Sequence, residues 1–143
     1  DKIRQGLSKV ILNTGLQGRW QVLGDAPKVI ADVAHNKEGL KYVIPQISTT
    51  PHENLYLVLG FVNDKSVAEI LSLFPSTAYY YLTQPEVPRA FPLENLALIA
   101  TNLKLNFQSY YSVKEALFNA KANAKPEDLI YVGGSTFVVA EIL

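Results

Sequence analysis

Apolar positions along this 143-residue chain switch between a helical period and a strand period. In "IRQGLSKVIL" residues Ile3, Leu7, Val10 and Ile11 fall on one face at helical spacing, and Asn13, Gly15 and Gly18 then break the pattern, which predicts a short helix leading into a loop. "WQVLG" and "KVIADV" read as two strands separated by the turn signal "GDAP", so the first strand is expected to be antiparallel or at an edge. After Asn36 the spacing of Leu40, Val43, Ile44 and Ile47 predicts a helix, with Pro45 expected to kink or shorten it. "NLYLVLGFV" is almost continuously apolar, as a strand covered on both faces would be.

From there helix and strand patterns alternate. "DKSVAEILSLF" reads as a helix with Asp64 near its start, "TAYYYLT" as a strand, "PLENLALIATNL" as a helix opening on Pro92, and "NFQSYY" as a short strand. "SVKEALFNAKANA" is a helix with Ser112 and Glu115 in capping-box positions, "DLIYVGG" a strand, and "TFVVAEIL" a last helix after Gly133 and Gly134. Strands separated by helices of about ten residues imply right-handed crossovers and a mainly parallel sheet with helices on both faces, a three-layer Rossmann-like α/β domain. No internal repeat and no Pro/Ser-rich linker divides the chain. Only the stretch up to about Gly18 could belong to a neighbouring unit.

Composition narrows the functional classes. Thirteen basic residues balance thirteen acidic ones without a dense Lys/Arg cluster, so nothing favours a nucleic-acid partner. The sequence has no cysteine, which removes disulfides, thiolate catalysis and Cys-ligated zinc, and makes a cytoplasmic setting the simpler expectation. The longest apolar runs fall short of the roughly 18 residues that span a bilayer, so no membrane partner is expected.

In an open α/β sheet, ligands bind outside the carboxyl ends of the strands, so polar residues just after a strand are the first candidates. Four places qualify: Asp32 with His35 and Asn36; Asn63 with Asp64 and Lys65; Thr83 through Arg89; and Gly133, Gly134 and Ser135. Asp32, set among Ile30, Ala31, Val33 and Ala34, could accept hydrogen bonds from ribose hydroxyls or cap the helix that follows. His35 could meet an anion at that helix N-terminus or be a structural histidine, and with no second histidine or cysteine nearby a metal site is not expected. Lys65 suits a carboxylate or phosphate, or is a solvated lysine in a first helical turn. "GGST" offers flexible backbone and a hydroxyl at a helix start, an anion cradle or an ordinary helix beginning. The G-x-x-x-x-G-K-[ST] phosphate loop, the G-x-G-x-x-G fingerprint and the G-x-S-x-G elbow are all missing from these residues.

Together "GRWQVLG", "VIADVAHNKEGL", "LVLGFVNDKSV" and "LIYVGGSTFVVAEIL" resemble, in order and spacing, the C-terminal domain of the bifunctional folylpolyglutamate synthase and dihydrofolate synthase family, a branch of the Mur ligase superfamily. The resemblance runs from about Trp20 to the last residue. It implies a fragment, about a third of a three-domain cytoplasmic ligase that uses ATP and Mg²⁺ to activate a folate or dihydropteroate carboxylate and joins it to L-glutamate. The phosphate loop and most metal ligands would lie in an N-terminal and central ATPase portion of the same polypeptide, with residues 1–18 as the tail of that portion plus the hinge and residues 19–143 as the closing domain. Carried over by position, Arg19 is similar to an arginine that reaches the ATP phosphates, Asp32 to an aspartate on the ribose, and His35 and Asn36 to the family's "AHN" near the reacting phosphate and glutamate, with Asn36 counted among the ATP-binding residues. Lys65 and Ser135 resemble groups that bind the incoming glutamate, and His35 is the residue the resemblance places at the chemistry. Lys37 stands where the family usually has proline, Val33 where it usually has glycine, and Arg89 in "VPRAF" resembles a common "RA" pair of no assigned role. Two other readings stay open: a free-standing α/β binding module, favoured if Asp32, His35 and Lys65 lie on different faces, and the equivalent domain of another Mur-type ligase, against which the "AHN" triplet argues.

Overall fold

The computed structural model describes residues 18–63 and 66–143. The helix predicted in residues 3–12, nearly all of the proposed tail and hinge, and Asp64 and Lys65 lie outside the described residues. Six strands, β1 (Gln21–Asp25), β2 (Lys28–Ala31), β3 (Leu55–Leu59), β4 (Tyr79–Leu82), β5 (Asn106–Ser109) and β6 (Leu129–Gly133), form one sheet in the order β1-β2-β6-β3-β4-β5. β1 pairs antiparallel with β2 at one edge, and every other pairing is parallel. Five helices accompany them: α1 (Lys37–Thr49), α2 (Val67–Leu71), α3 (Leu93–Asn102), α4 (Val113–Asn123) and α5 (Thr136–Ala140).

The three-layer arrangement follows from which side chains each strand buries. β3 and β6 are buried at all five positions, because both of their faces are covered. Ile30, Leu57, Tyr80 and Leu129 pack on one side against Leu40, Val43 and Ile47 of α1, Ile70 of α2 and Leu96 of α3. Val29, Val58, Ile130 and Val132 pack on the other against Val113, Ala116 and Ala120 of α4 and Val138 and Val139 of α5. α1, α2 and α3 therefore share one face while the chain steps outward to β5. α4 then crosses the opposite face and returns the chain to insert β6 between β2 and β3. That reversal puts the topological switch point at the carboxyl end of β6, between the ends of β2 and β3.

Local chemistry sets the helix ends. Asn36 caps α1 by accepting the Gly39 N–H on its Oδ1 at 2.9 Å, and Ser112 caps α4 through the Glu115 N–H at 3.2 Å, as its capping-box position predicts. Pro45 behaves differently from expectation: α1 continues through it to Thr49. Lys41 and Pro45 both lie exposed, so the Lys41 carbonyl that loses its helical donor can take water instead. Lys37, in place of the family's proline, occupies the first turn, where its N–H lacks a helical acceptor in any case, and its ammonium pairs with Glu69 of α2. The helices read from "DKSVAEILSLF" and "TFVVAEIL" are shorter than their patterns, five residues each, and relax into turns at Ser72–Phe74 and Glu141–Leu143.

Candidate functional site: a cleft at the carboxyl end of β2

The loop before β1 is fastened to the residues after β2. Trp20 N–H donates to Asp32 Oδ2 at 2.7 Å, Ala34 N–H to Asp32 Oδ1 at 2.8 Å, and Val33 N–H to the Gly18 carbonyl at 2.7 Å. Asp32, only 7% exposed, thus spends one lone pair on each oxygen holding backbone, which explains a carboxylate among apolar neighbours. The hooked loop turns sharply enough that Gly18 has φ +85° and Trp20 φ +47°, a conformation uncommon for a residue with a side chain. One consequence is positional: Arg19, between them, is held beside the start of α1.

Between this loop and α1 lies a cleft of about 440 Å³ lined by Arg19, Trp20, Asp32, His35, Asn36, Gly39, Tyr42 and Gln46 among others. Arg19 has no ion-pair partner among the described residues. His35 is exposed, with Nδ1 3.4 Å from the Val33 carbonyl and no partner for Nε2 among the described residues. Asn36 uses its Oδ1 as cap, and its amide hydrogens have no acceptor among the described residues. A guanidinium, an amide and an imidazole therefore line one open volume beside the N-terminal end of a 13-residue helix, an arrangement suited to a phosphorylated ligand.

The other sequence candidates distribute unevenly. Ser135 stands at the adjacent strand end, 2% exposed and outside the lining of the cleft, and its Oγ accepts the Phe137 N–H at 3.0 Å. Its hydroxyl hydrogen remains available as a donor. The glycines before it are constrained rather than flexible: a Cβ on Gly134, at φ +96°, would sit 2.5 Å from the Gly60 carbonyl oxygen, and one on Gly133 would sit 2.8 Å from the Tyr131 hydroxyl. These approaches pack the ends of β3 and β6 together. Thr83 through Arg89 is occupied structurally: Gln84 Oε1 accepts the Leu93 N–H, Glu86 N–H reaches Glu141, and the Arg89 carbonyl accepts the Asn63 N–H at 2.6 Å. Lys65 lies outside the described residues, so of the three groups whose common face was in question the structure brings Asp32 and His35 into one cleft.

Trp20, Tyr42 and Gln46 escaped the reading of strand ends. The available signal was helical spacing from Asn36, since residues 36, 39, 42 or 43, and 46 share a face. Behind the cleft, Tyr131 packs near Trp20, with ring centroids 6.5 Å apart, and buries a hydroxyl that has no partner among the described residues. Burial, with the nearby Asp32 charge, holds that phenol well above its ordinary value.

Among the described residues no helix is long and apolar enough to cross a membrane, and no group of three or more His, Cys, Asp or Glu could hold a metal ion. Residues 18–136 match the Mur ligase, glutamate ligase domain model. The dihydrofolate synthase/folylpolyglutamate synthase of Escherichia coli K12 is 34% identical over 99% of this chain, and a probable bifunctional folylpolyglutamate synthase/dihydropteroate synthase of Haloferax volcanii is 29% identical over 96%. The chain spans 32% of the former and 16% of the latter, about a third of the bacterial relative. Among solved structures, Escherichia coli FolC in complex with DHPP and ADP superposes with a TM-score of 0.77 at 32% identity, over 87% of this chain and 30% of that one. A Yersinia pestis folylpolyglutamate synthase/dihydrofolate synthase with Mn, AMPPNP and L-glutamate bound gives 0.77 at 27%, over 89% and 32%. With a match over residues 18–136, and a six-stranded sheet whose switch point opens beside the "DVAHN" segment, the chain belongs to the Mur ligase, glutamate ligase domain family.

Proposed function

We propose that this chain is the C-terminal closing domain of a longer ATP-dependent ligase that adds L-glutamate to a folate or dihydropteroate carboxylate. The observation that carries the reading is the convergence of Arg19, Asp32, His35 and Asn36 on one cleft at a helix N-terminus. Relatives solved with ADP, or with AMPPNP and L-glutamate, support it. In the reaction so proposed, the acceptor carboxylate attacks the γ-phosphorus of ATP and ADP departs. The glutamate amine then attacks the acyl phosphate carbon, phosphate leaves, and an amide forms.

Each residue has a role its chemistry permits. Arg19, without an ion-pair partner among the described residues and beside the helix start, meets the nucleotide phosphates, and Asn36 donates its amide hydrogens to the same group. Asp32 accepts a ribose hydroxyl on the lone pairs its backbone bonds leave unused. His35, whose Nε2 has no partner among the described residues, sits nearest the reacting phosphate and steadies charge or relays a proton there. Lys65 pairs with a glutamate carboxylate and Ser135 donates its hydroxyl hydrogen to the same substrate. Mg²⁺ would neutralise phosphate charge, and its ligands must come largely from the portion of the polypeptide that also supplies the phosphate loop, since the described residues hold no cluster for it. Closure of this domain over that portion would exclude the water that hydrolyses an acyl phosphate.

The test is ATP-dependent incorporation of labelled glutamate by the longer protein, with dihydropteroate and 5,10-methylenetetrahydrofolate as alternative acceptors, wild type beside Asp32→Ala and His35→Ala. Loss of at least about tenfold in kcat/KM, roughly 1.4 kcal/mol, in folded variants is expected. Unchanged rates would return "DVAHN" to a purely structural role and sink the assignment.

A further inference from the structure

We infer that the ion pair between Lys37, the first residue of α1, and Glu69 of α2 is a tether that holds the opening turn of α1, and with it His35 and Asn36, at the cleft. Lys37 and Glu69 are thus positioning residues, and the inference rests on the ligase reading of that cleft. The need for a tether follows from where packing begins. The buried stripe of α1 starts at Leu40, whereas His35 through Glu38 are all exposed. The apolar contacts that seat the helix therefore lie about one turn behind the groups that line the cleft. Other polar contacts here are local: Asn36 Oδ1 accepts the Gly39 N–H, Lys41 stands 3.7 Å from Glu38, and His35 Nδ1 lies 3.4 Å from the Val33 carbonyl. Bonds of that kind move with the turn. Among the described residues, the Lys37–Glu69 ion pair is the contact of this turn that reaches a separate helix.

The far end of the tether is firm. Val67, Ile70 and Leu71, on either side of Glu69, are buried in the core, so α2 offers its carboxylate from a fixed place. The two paired side chains are 58% and 54% exposed, which makes the pair a small contributor to stability and opens it to screening by salt. Its effect lies instead in narrowing the motion of a turn whose groups must meet a ligand together, since order established before binding is not lost on binding. Proline at position 37 would stiffen the same turn by a local route. The position is the first of the helix, where proline is favoured, and Asn36 has the extended backbone, φ −140° and ψ 174°, that a following proline accepts. A Lys37→Pro chain therefore keeps the turn ordered without Glu69, which separates the tether from any other role of the Glu69 charge.

The experiment measures kcat and the KM for ATP in glutamate incorporation by the longer protein, with Tm alongside, for the parent, Glu69→Gln, Lys37→Gln, Lys37→Arg, Lys37→Pro, and Lys37→Pro combined with Glu69→Gln. At about 0.05 M salt, Glu69→Gln and Lys37→Gln should each raise the KM about two- to fivefold, the range an exposed pair supports, at parental Tm, and Lys37→Arg should restore it. A merely structural role would lower the active fraction, and hence kcat, and leave the KM where it was. Glu69→Gln should be silent in the Lys37→Pro background. Raising the salt to about 0.5 M, which shortens the screening length about threefold, should narrow the gap between the parent and Glu69→Gln. A parental KM in both glutamine variants, or an equal effect of Glu69→Gln with lysine or proline at position 37, would overturn the tether. Lost activity in Asp32→Ala in the same assay would leave the ligase reading standing beside that result. A parent without ATP-dependent incorporation would overturn both.

Discussion

Asp32 illustrates how much a single side chain can organise. Its two oxygens hold the N–H groups of Trp20 and Ala34, so the residue that would touch a ligand also fastens the loop presenting Arg19. Asp32→Asn keeps one acceptor oxygen and should cost about 1–2 kcal/mol, whereas Asp32→Ala strands two half-buried donors and should cost about 2–4 kcal/mol; chemical denaturation of the isolated chain would rank them, and equal stabilities would show the loop is held by other means. Gly134→Ala forces a Cβ to within 2.5 Å of the Gly60 oxygen at a positive φ, so it should be the most damaging glycine substitution in the domain, read as a lowered Tm. The importance of "GGST" was visible in the sequence, but its cause was not. A carbonyl that blocks a Cβ belongs to a residue more than seventy positions away.

At the level of elements, the helix beginnings were legible because their causes are local. Ser112 to Ala should cost α4 about 1 kcal/mol, measurable as a shift in the urea midpoint at unchanged slope. The behaviour of Pro45 was not legible, because the penalty for a missing donor depends on whether the orphaned carbonyl faces water or core. The shortness of α2 and α5 has the same origin: apolar periodicity continues through Leu73, Phe74 and Ile142, but the chain there packs as turns. Tyr42 and Gln46 were hidden for a related reason. Helical spacing tells which residues share a face, and only the neighbouring Gly18–Trp20 loop makes that face the wall of a cleft.

For the whole molecule, buried tyrosines set an alkaline limit. Burial raises the pKa of Tyr80, and burial with the Asp32 charge raises that of Tyr131, above the ordinary value of 10.0. Above about pH 10 the unfolded chain releases these protons and the folded one retains them, so stability is full below that pH and falls as pH rises through it. Denaturation midpoints at pH 9 and pH 11 should differ, and Tyr131→Phe should narrow the difference while removing a buried unpartnered hydroxyl. If that variant kept the full loss, the limit would lie in other groups. By itself the sequence determined the alternation of strands and helices, the antiparallel edge, the two-faced burial of β3 and the candidates after β2, because periodicity and capping act over a few residues. Tertiary structure alone decided that β6 inserts between β2 and β3, that Arg19 and Tyr42 meet Asp32 and His35 across one cleft, and that Ser135 stands buried beside it. Those outcomes depend on crossovers that bring distant segments to one sheet edge, and such proximity leaves no local periodic trace.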